Sequence, residues 1–293
     1  MKIEVGNLTD VGRKRTHNED YFGFFERAPG EILAIVADGM GGHASGEVAS
    51  RMGVEMIHDI YSKERSDKTV LEALKSAFQI ANFTILQKSL EQESLNGMGT
   101  TATALVLTND QAFIGHMGDS RAYLFRNSIV SPLTKDHSLV ERMVAQGLLS
   151  REEAHSHPQK NVIYKTLGVN MDSELDLLGP IPVETDDIFL LCSDGLTNTV
   201  TNEEMLNIVS KEPPQRACED LILLANQRGG QDNITVQIIT IERPKKVFIS
   251  FGVKKRFWFI IGLILLILLI LNGLILIDPE FLERIPFLSP TQP

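Results

Sequence analysis

Cysteine is nearly absent: Cys192 and Cys218 are the only two among 293 residues. That leaves no disulfide framework and no zinc-ligand spacing, and it fits a reducing compartment. Cys192 lies inside an apolar run and reads as a buried small residue. Neither cysteine stands in a nucleophile motif, so no covalent enzyme intermediate is expected. A basic surplus is missing too. Lys and Arg number 28 against 38 Asp and Glu, a net charge of −10. A protein that tracks a phosphate backbone is normally cationic, so the charge argues against nucleic acid as the main ligand. No HExxH spacing exists among the histidines, which argues against a zincin-type centre. The start, Met1-Lys2-Ile3-Glu4, opens no apolar stretch of signal-peptide length, so the N-terminal part is expected to stay in the cytoplasm. There is no internal repeat or low-complexity tract. Length and ordinary composition allow one large domain or two small ones, and argue against wholesale disorder.

The clearest boundary lies near residue 243. Before it, short apolar runs alternate with amphipathic stretches over 1–242. A basic linker follows over 243–256, with Lys245, Lys246, Lys254, Lys255 and Arg256. Trp258 to Ile277 is then apolar for 20 residues, broken only by Gly262, Asn272 and Gly273. At about 1.5 Å per residue such a helix crosses a hydrocarbon core of about 30 Å. A buried core helix would need an equally apolar partner, and nothing after Ile277 supplies one. The pattern predicts a transmembrane helix over 257–277 and a short extracytoplasmic tail over 278–293. Basic residues precede the span, while Asp278, Glu280 and Glu283 outnumber Arg284 after it. The positive-inside bias therefore puts residues 1–242 in the cytoplasm, with Trp258 at the interface. The expectation is a single-pass protein of the cell membrane, with the lipid bilayer as a partner.

Within 1–242 the residues predict strands at Ile32–Val36, Thr101–Leu107, Gln111–Met117, Arg121–Phe125, Ile188–Cys192 and Ile234–Ile241. Val48, Met52, Met56 and Ile60 recur at helical spacing, which predicts a helix over Gly46–Tyr61. Leu71–Leu90 and Pro214–Gln227 read the same way. Strand clusters interleaved with helix pairs favour an α+β layered fold over a regular βαβ repeat.

Five aspartates stand out by position. Asp20 ends Arg15-Thr16-His17-Asn18-Glu19-Asp20. Asp38 ends an apolar run and begins Asp38-Gly39-Met40-Gly41-Gly42-His43. Asp119, Asp194 and Asp232 lie in Gly118-Asp119-Ser120-Arg121, Ser193-Asp194-Gly195 and Gly230-Gln231-Asp232-Asn233. Four of the five sit at the end of a predicted strand with glycine beside them. A single Asp-Gly is usually a turn. If the strands share a sheet, however, their ends bring the carboxylates together. Clustered carboxylates repel unless cations neutralise them, and hard divalent ions with oxygen shells, Mg²⁺ or Mn²⁺, suit such a set. These residues alone justify a two-metal hydrolase.

Six stretches, in order, resemble the metal-dependent type 2C protein phosphatases in their bacterial form. They are Asp10-Val11-Gly12 with Arg15, Asn18 and Asp20; Val36 to His43 continuing to Gly46-Glu47; Gly99-Thr100-Thr101; Gly118 to Arg121; Ser193 to Leu196; and Gly230 to Asn233. The resemblance covers residues 1–242. It implies a four-layer α-β-β-α sandwich of two antiparallel sheets flanked by helices, with metals at one edge. By the same resemblance Asp38 bridges two ions and Gly39 ligates one through its carbonyl. Asp20, Asp194 and Asp232 complete the second ion's side, partly through water, and Asp119 with Asp194 holds a weaker third ion. Arg15 binds the substrate phosphate, which a guanidinium can grip through two oxygens. Asn233 orients Asp232. Ser138 to Gly168 corresponds to the family's variable flap.

The implied reaction is hydrolysis of phosphoserine or phosphothreonine in proteins. A metal-bridging hydroxide attacks phosphorus in line, and Arg15 and the metals balance phosphoryl charge. His43 is the candidate general acid for the leaving alkoxide. His17, His116, His137, His155 and His157 read as structural or surface residues. Expected partners are phosphorylated proteins, including Ser/Thr kinases and their substrates, with a monomeric catalytic domain. Two rivals stand beside this reading. A two-metal phosphoesterase acting on nucleotides or nucleic acid should bring a basic groove or a base-stacking aromatic set, which 1–242 does not show clearly. An inactive phosphoprotein-binding module would be expected to have lost Asp20, Asp38, Asp194 or Asp232.

Overall fold

A computed structural model describes residues 2–28, 30–42, 44–171, 174–242 and 263–270. The chain divides into two compact units, Met1–Arg243 and Pro244–Pro293. The first runs β1 (Ile3–Asp10), β2 (Asp20–Ala28), β3 (Glu31–Met40), α1 (Ala44–Glu64), α2 (Val70–Glu91), β4 (Gly99–Thr100), β5 (Ala102–Leu107), β6 (Gln111–Met117), β7 (Arg121–Arg126) and β8 (Ile129–Pro132). It continues with α3 (Leu139–Ala145), α4 (Arg151–Ser156), β9 (Asp176–Pro182), β10 (Ile188–Cys192), α5 (Asp194–Thr197), α6 (Asn202–Val209), α7 (Pro214–Gln227) and β11 (Ile234–Ile241).

The strands form two sheets. One has the order β1-β11-β10-β7-β8, the other β2-β3-β5-β6-β9, with β4 beside β3. Every pairing is antiparallel. The period of two along each strand explains the layering. In β3, Ile32, Ala34 and Val36 enter the core between the sheets. Leu33, Ile35 and Ala37 face the other way, onto α1 and α2. In β10, Phe189 and Leu191 point inward, while Leu190 and Cys192 pack with α7 residues such as Ala217 and Leu221. The layers therefore run α-β-β-α. Both cysteines are buried and unpaired, as small core residues.

The ends of β6, β10 and β11 coincide with the predicted strands. The helices over 46–61 and 71–90 each extend by one to three residues at their ends. The structure adds β1, β2, β8 and β9, which apolar runs do not betray. All four are sheet edges, where one side lacks a partner strand. The edge strand β9 carries Pro180 and Pro182, which an edge tolerates because the missing N–H need not bond inward.

Of the predicted membrane span over 257–277, only residues 263–270 are described, as helix with exposed apolar side chains. The rest of the span, the linker 243–256 and the tail 278–293 lie outside the described residues. Among the described residues no helix is long and apolar enough to cross a membrane.

Candidate metal centre

Sheet register gathers the aspartates. In one sheet Cys192 pairs with Arg121 on one side and with Val236 on the other. Asp194 lies just past the end of β10, at the start of α5, Asp119 just before β7, and Asp232 just before β11. Three neighbouring strand ends thus place three carboxylates at one edge. The facing sheet supplies the others, because Asp20 and Asp38 are direct partners in the β2–β3 pair.

Asp20 joins the two sheets. The hydroxyls of Ser193 and Thr235 both donate to its Oδ2, each at 2.7 Å. Its Oδ1 is buried with no partner, as are Oδ1 of Asp119 and Oδ1 of Asp194. The other oxygen of Asp194 accepts from Asn198 Nδ2 at 2.9 Å. A buried carboxylate oxygen without a donor is costly, and here three belong to carboxylates that repel one another, Asp20 and Asp119 each feeling the charge of Asp194. Burial, aided by the carboxylates around it, pushes Asp20 up to about 7. The same two causes push Asp194 up to about 6. Asp38 and Asp119 are driven well above the usual carboxylate range, first by burial and then by neighbouring aspartates.

Orphaned oxygens in an all-oxygen set fit hard divalent cations such as Mg²⁺ or Mn²⁺. Among the described residues no three His, Cys, Asp or Glu side chains close on one point tightly enough to hold an ion unaided. An ion here must take part of its shell from main-chain carbonyls and water, as Mg²⁺ commonly does. Gly39 shows how closely the backbone packs: a Cβ there would lie 2.0 Å from Gly46 O.

The supporting contacts are polar. Asp38 N–H donates to Thr101 Oγ1 at 2.8 Å, and Thr100 Oγ1 donates to Asp38 O at 3.0 Å. Thr100 and Thr101 therefore hold Asp38 by hydrogen bonds. Arg15 Nη2 donates to Asp232 Oδ2 at 2.9 Å, with half of the Arg15 side chain open to solvent. Asn233 touches Asp232 through its backbone and the 11–19 loop through its side chain. Its side chain accepts from Glu19 N and donates to Val11 O and His17 O, stitching the 11–19 loop in place. What reaches Asp232 Oδ1 is the main-chain N–H of Asn233, at 2.9 Å. His43 lies outside the described residues.

Sequence reasoning missed Ser193 and Thr235 as partners of Asp20. It also missed Asp136, which takes two bonds of 2.7 Å from Arg121 beside Asp119. The available signal was position: Ser193 adjoins Asp194, and Thr235 is the second residue of the strand after Asp232.

Residues 11–230 match the family Protein phosphatase 2C. The Serine/threonine phosphatase stp of Listeria monocytogenes serotype 4b (strain F2365) is 42% identical over 242 residues, covering 81% of this chain and 96% of that protein. Protein phosphatase PhpP of Streptococcus pneumoniae is 39% identical over 242 residues, covering 82% and 98%. The crystal structure of the Mycobacterium tuberculosis serine/threonine phosphatase PstP/Ppp superposes with a TM-score of 0.74 at 34% identity, over 82% of this chain and 99% of that one. The catalytic domain of PstP in complex with 2 manganese ions gives a TM-score of 0.72 at 32% identity, over 82% and 99%. Taken with the carboxylate edge of the sandwich, these likenesses mean that the chain belongs to the protein phosphatase 2C family and is a protein serine/threonine phosphatase.

Proposed function

We propose that this protein removes phosphate from phosphoserine and phosphothreonine in proteins with Mn²⁺ or Mg²⁺ held by Asp38, Gly39 O, Asp20, Asp194 and Asp232, and a weaker ion at Asp119 and Asp194. The observation that carries the reading is the set of three buried, unpartnered carboxylate oxygens on Asp20, Asp119 and Asp194. When bound, such ions supply a nucleophilic water near neutral pH and positive charge opposite the phosphoryl oxygens. Arg15 reaches the same edge from the 11–19 loop. Its pairing with Asp232 holds the guanidinium at the rim, where a substrate phosphate can take up the free N–H groups. His43 follows directly after the Gly41-Gly42 pair and is assigned the proton delivered to the leaving seryl or threonyl oxygen.

The test uses the purified full chain, a phosphothreonine peptide and added Mn²⁺. Asp38→Asn should lower kcat/KM by at least about 100-fold. Equal activity of the variant and the unaltered protein rejects the reading. His43→Ala should slow an alkyl phosphate more than an aryl phosphate, whose leaving group needs less protonation. Equal losses remove His43 from the acid role.

The reading includes a C-terminal anchor, supported by the length of the apolar run 258–277 and the basic residues before it. An anchored catalytic unit on the cytoplasmic side meets membrane-bound kinases and their substrates at raised local concentration. Truncation after Arg243 should move the protein from the membrane fraction to the soluble fraction. Persistent membrane association of the truncated chain would count against the anchor.

A further inference from the structure

The flap leaves and rejoins the sandwich beside two of the aspartates. At its far end Thr100 and Leu167 exchange backbone bonds of 3.0 and 2.8 Å, next to the threonines that hold Asp38. At its near end His137 makes a link through both its backbone and its side chain. His137 N–H donates to Gly118 O at 2.8 Å, and Gly118 N–H donates back to His137 Nδ1 at 3.0 Å. The flap returns to the same residue, since Tyr164 N–H donates to His137 O at 2.9 Å. His137 is 3% exposed.

The direction of the Gly118 bond settles the state of the ring. A main-chain N–H can only donate, so Nδ1 must offer its lone pair and the proton sits on Nε2. Nε2 lies 3.2 Å from Asp176 Oδ2 on β9, and Lys165 Nζ is 3.3 Å from the other oxygen of Asp176. Burial lowers the basicity of His137, which keeps the ring neutral. The His116 ring lies against it, tilted by 30° with ring centres 4.8 Å apart.

Gly118 is the residue before Asp119, and its backbone is unusual. It has φ +116°, and a Cβ there would lie 2.5 Å from Thr101 Cβ. No side chain of its own can brace this turn. The brace comes from His137, nineteen positions along the chain. The direction in which Asp119 aims its unpartnered Oδ1 depends on that brace.

We propose that His137 is a positioning residue whose Nδ1 holds the Gly118 N–H, aims Asp119 and ties the ion on the Asp119–Asp194 side to the flap. The inference rests on the reading of Asp119 and Asp194 as ligands. A residue that merely fills space would tolerate any polar side chain of similar size. A positioning residue needs an acceptor where Nδ1 is. Asparagine places its Oδ1 near that point, whereas glutamine carries its amide out to the Nε2 position and leaves the Gly118 N–H unpaired.

The experiment titrates Mn²⁺ into the metal-stripped full chain by calorimetry and follows Gly118 amide exchange. His137→Gln should weaken the weakest Mn²⁺ by about tenfold, the size of one lost hydrogen bond, and leave the tighter ions unchanged. Gly118 exchange should quicken in the same variant. His137→Asn should restore both. Equal behaviour of the two variants overturns the inference. Asp119→Asn separates it from the reading beneath: if that variant still binds every ion as the unaltered protein does, the ligand assignment fails and the inference with it. If it loses the weakest ion while the asparagine and glutamine variants bind alike, only the inference fails. A measurement on the unaltered protein does not depend on variants folding. Filling the weakest site should slow Gly118 exchange, because coupling between two sites is reciprocal; unchanged exchange also overturns the inference.

Discussion

Asp20 is held by hydroxyls that come from the opposite sheet. Ser193 Oγ both donates to Asp20 Oδ2 and accepts from Thr235 N–H at 3.0 Å. Ser193→Ala therefore removes one donor from the carboxylate and strips a buried N–H of its acceptor. A hydrogen bond to a charged group contributes about 1.5–3 kcal/mol. Urea denaturation in saturating Mn²⁺ should show a loss of about 2 kcal/mol for this variant, with a weaker Mn²⁺ affinity. An unchanged midpoint would mean that Thr235 alone suffices. The aspartates themselves were legible in the sequence, because glycines and strand ends mark them. Ser193 was not, since its partner lies 173 positions away and only sheet register brings them together. Asn233 teaches the converse. It neighbours Asp232 in the chain and bonds it through the backbone N–H, while its amide side chain meets the polar groups of the 11–19 loop, a contact that sequence position does not reveal.

At the scale of elements, legibility follows burial. Central strands such as β3, β5 and β10 are covered on both faces, so their sequences are apolar without alternation and announce themselves. Edge strands do not. β1 reads Ile-Glu-Val-Gly-Asn-Leu-Thr-Asp and is mostly half-buried. Gly6 lies under α7, where a Cβ would stand 2.3 Å from the Pro214 carbonyl carbon. A glycine that permits a helix to cross a strand looks, in sequence, like a turn. The short helices α4 and α6 span only six and eight residues, too few for periodicity to show them. Their capping boxes were nevertheless written in the chain, as Ser150 with Glu153 and Thr201 with Glu204. That Thr-x-x-Glu spacing satisfies two orphan donors at a helix start, whatever the helix packs against.

For the whole molecule, which strands neighbour each other was not legible, and the site depends on it. Both sheets must present their carboxylate-bearing ends at the same edge, and the sandwich keeps like charges together that would separate in the unfolded chain. The cost has a pH signature. Asp20 sits at about 7 and Asp194 at about 6 in the metal-free fold, against about 4 for an unfolded aspartate. The folded state therefore holds these protons more tightly than the unfolded state. Their contribution is full below about pH 4 and is lost as pH rises through about 6 to 7. Glu204, at about 2 beside Arg228, acts in the opposite sense, but its contribution is lost only as pH falls towards about 2, outside that window. The metal-stripped protein should lose stability, on the order of a few kcal/mol, between about pH 5 and pH 8. Saturating Mn²⁺ should abolish the loss, because the cation replaces the protons that neutralise the cluster. Asp20→Asn should make the metal-free slope shallower by removing one of the titrating carboxylates. Urea midpoints across this range, with and without Mn²⁺, decide the matter. A metal-free midpoint that rises or stays level with pH would mean that the aspartates relax apart when they ionise, and that the sandwich does not hold them against one another.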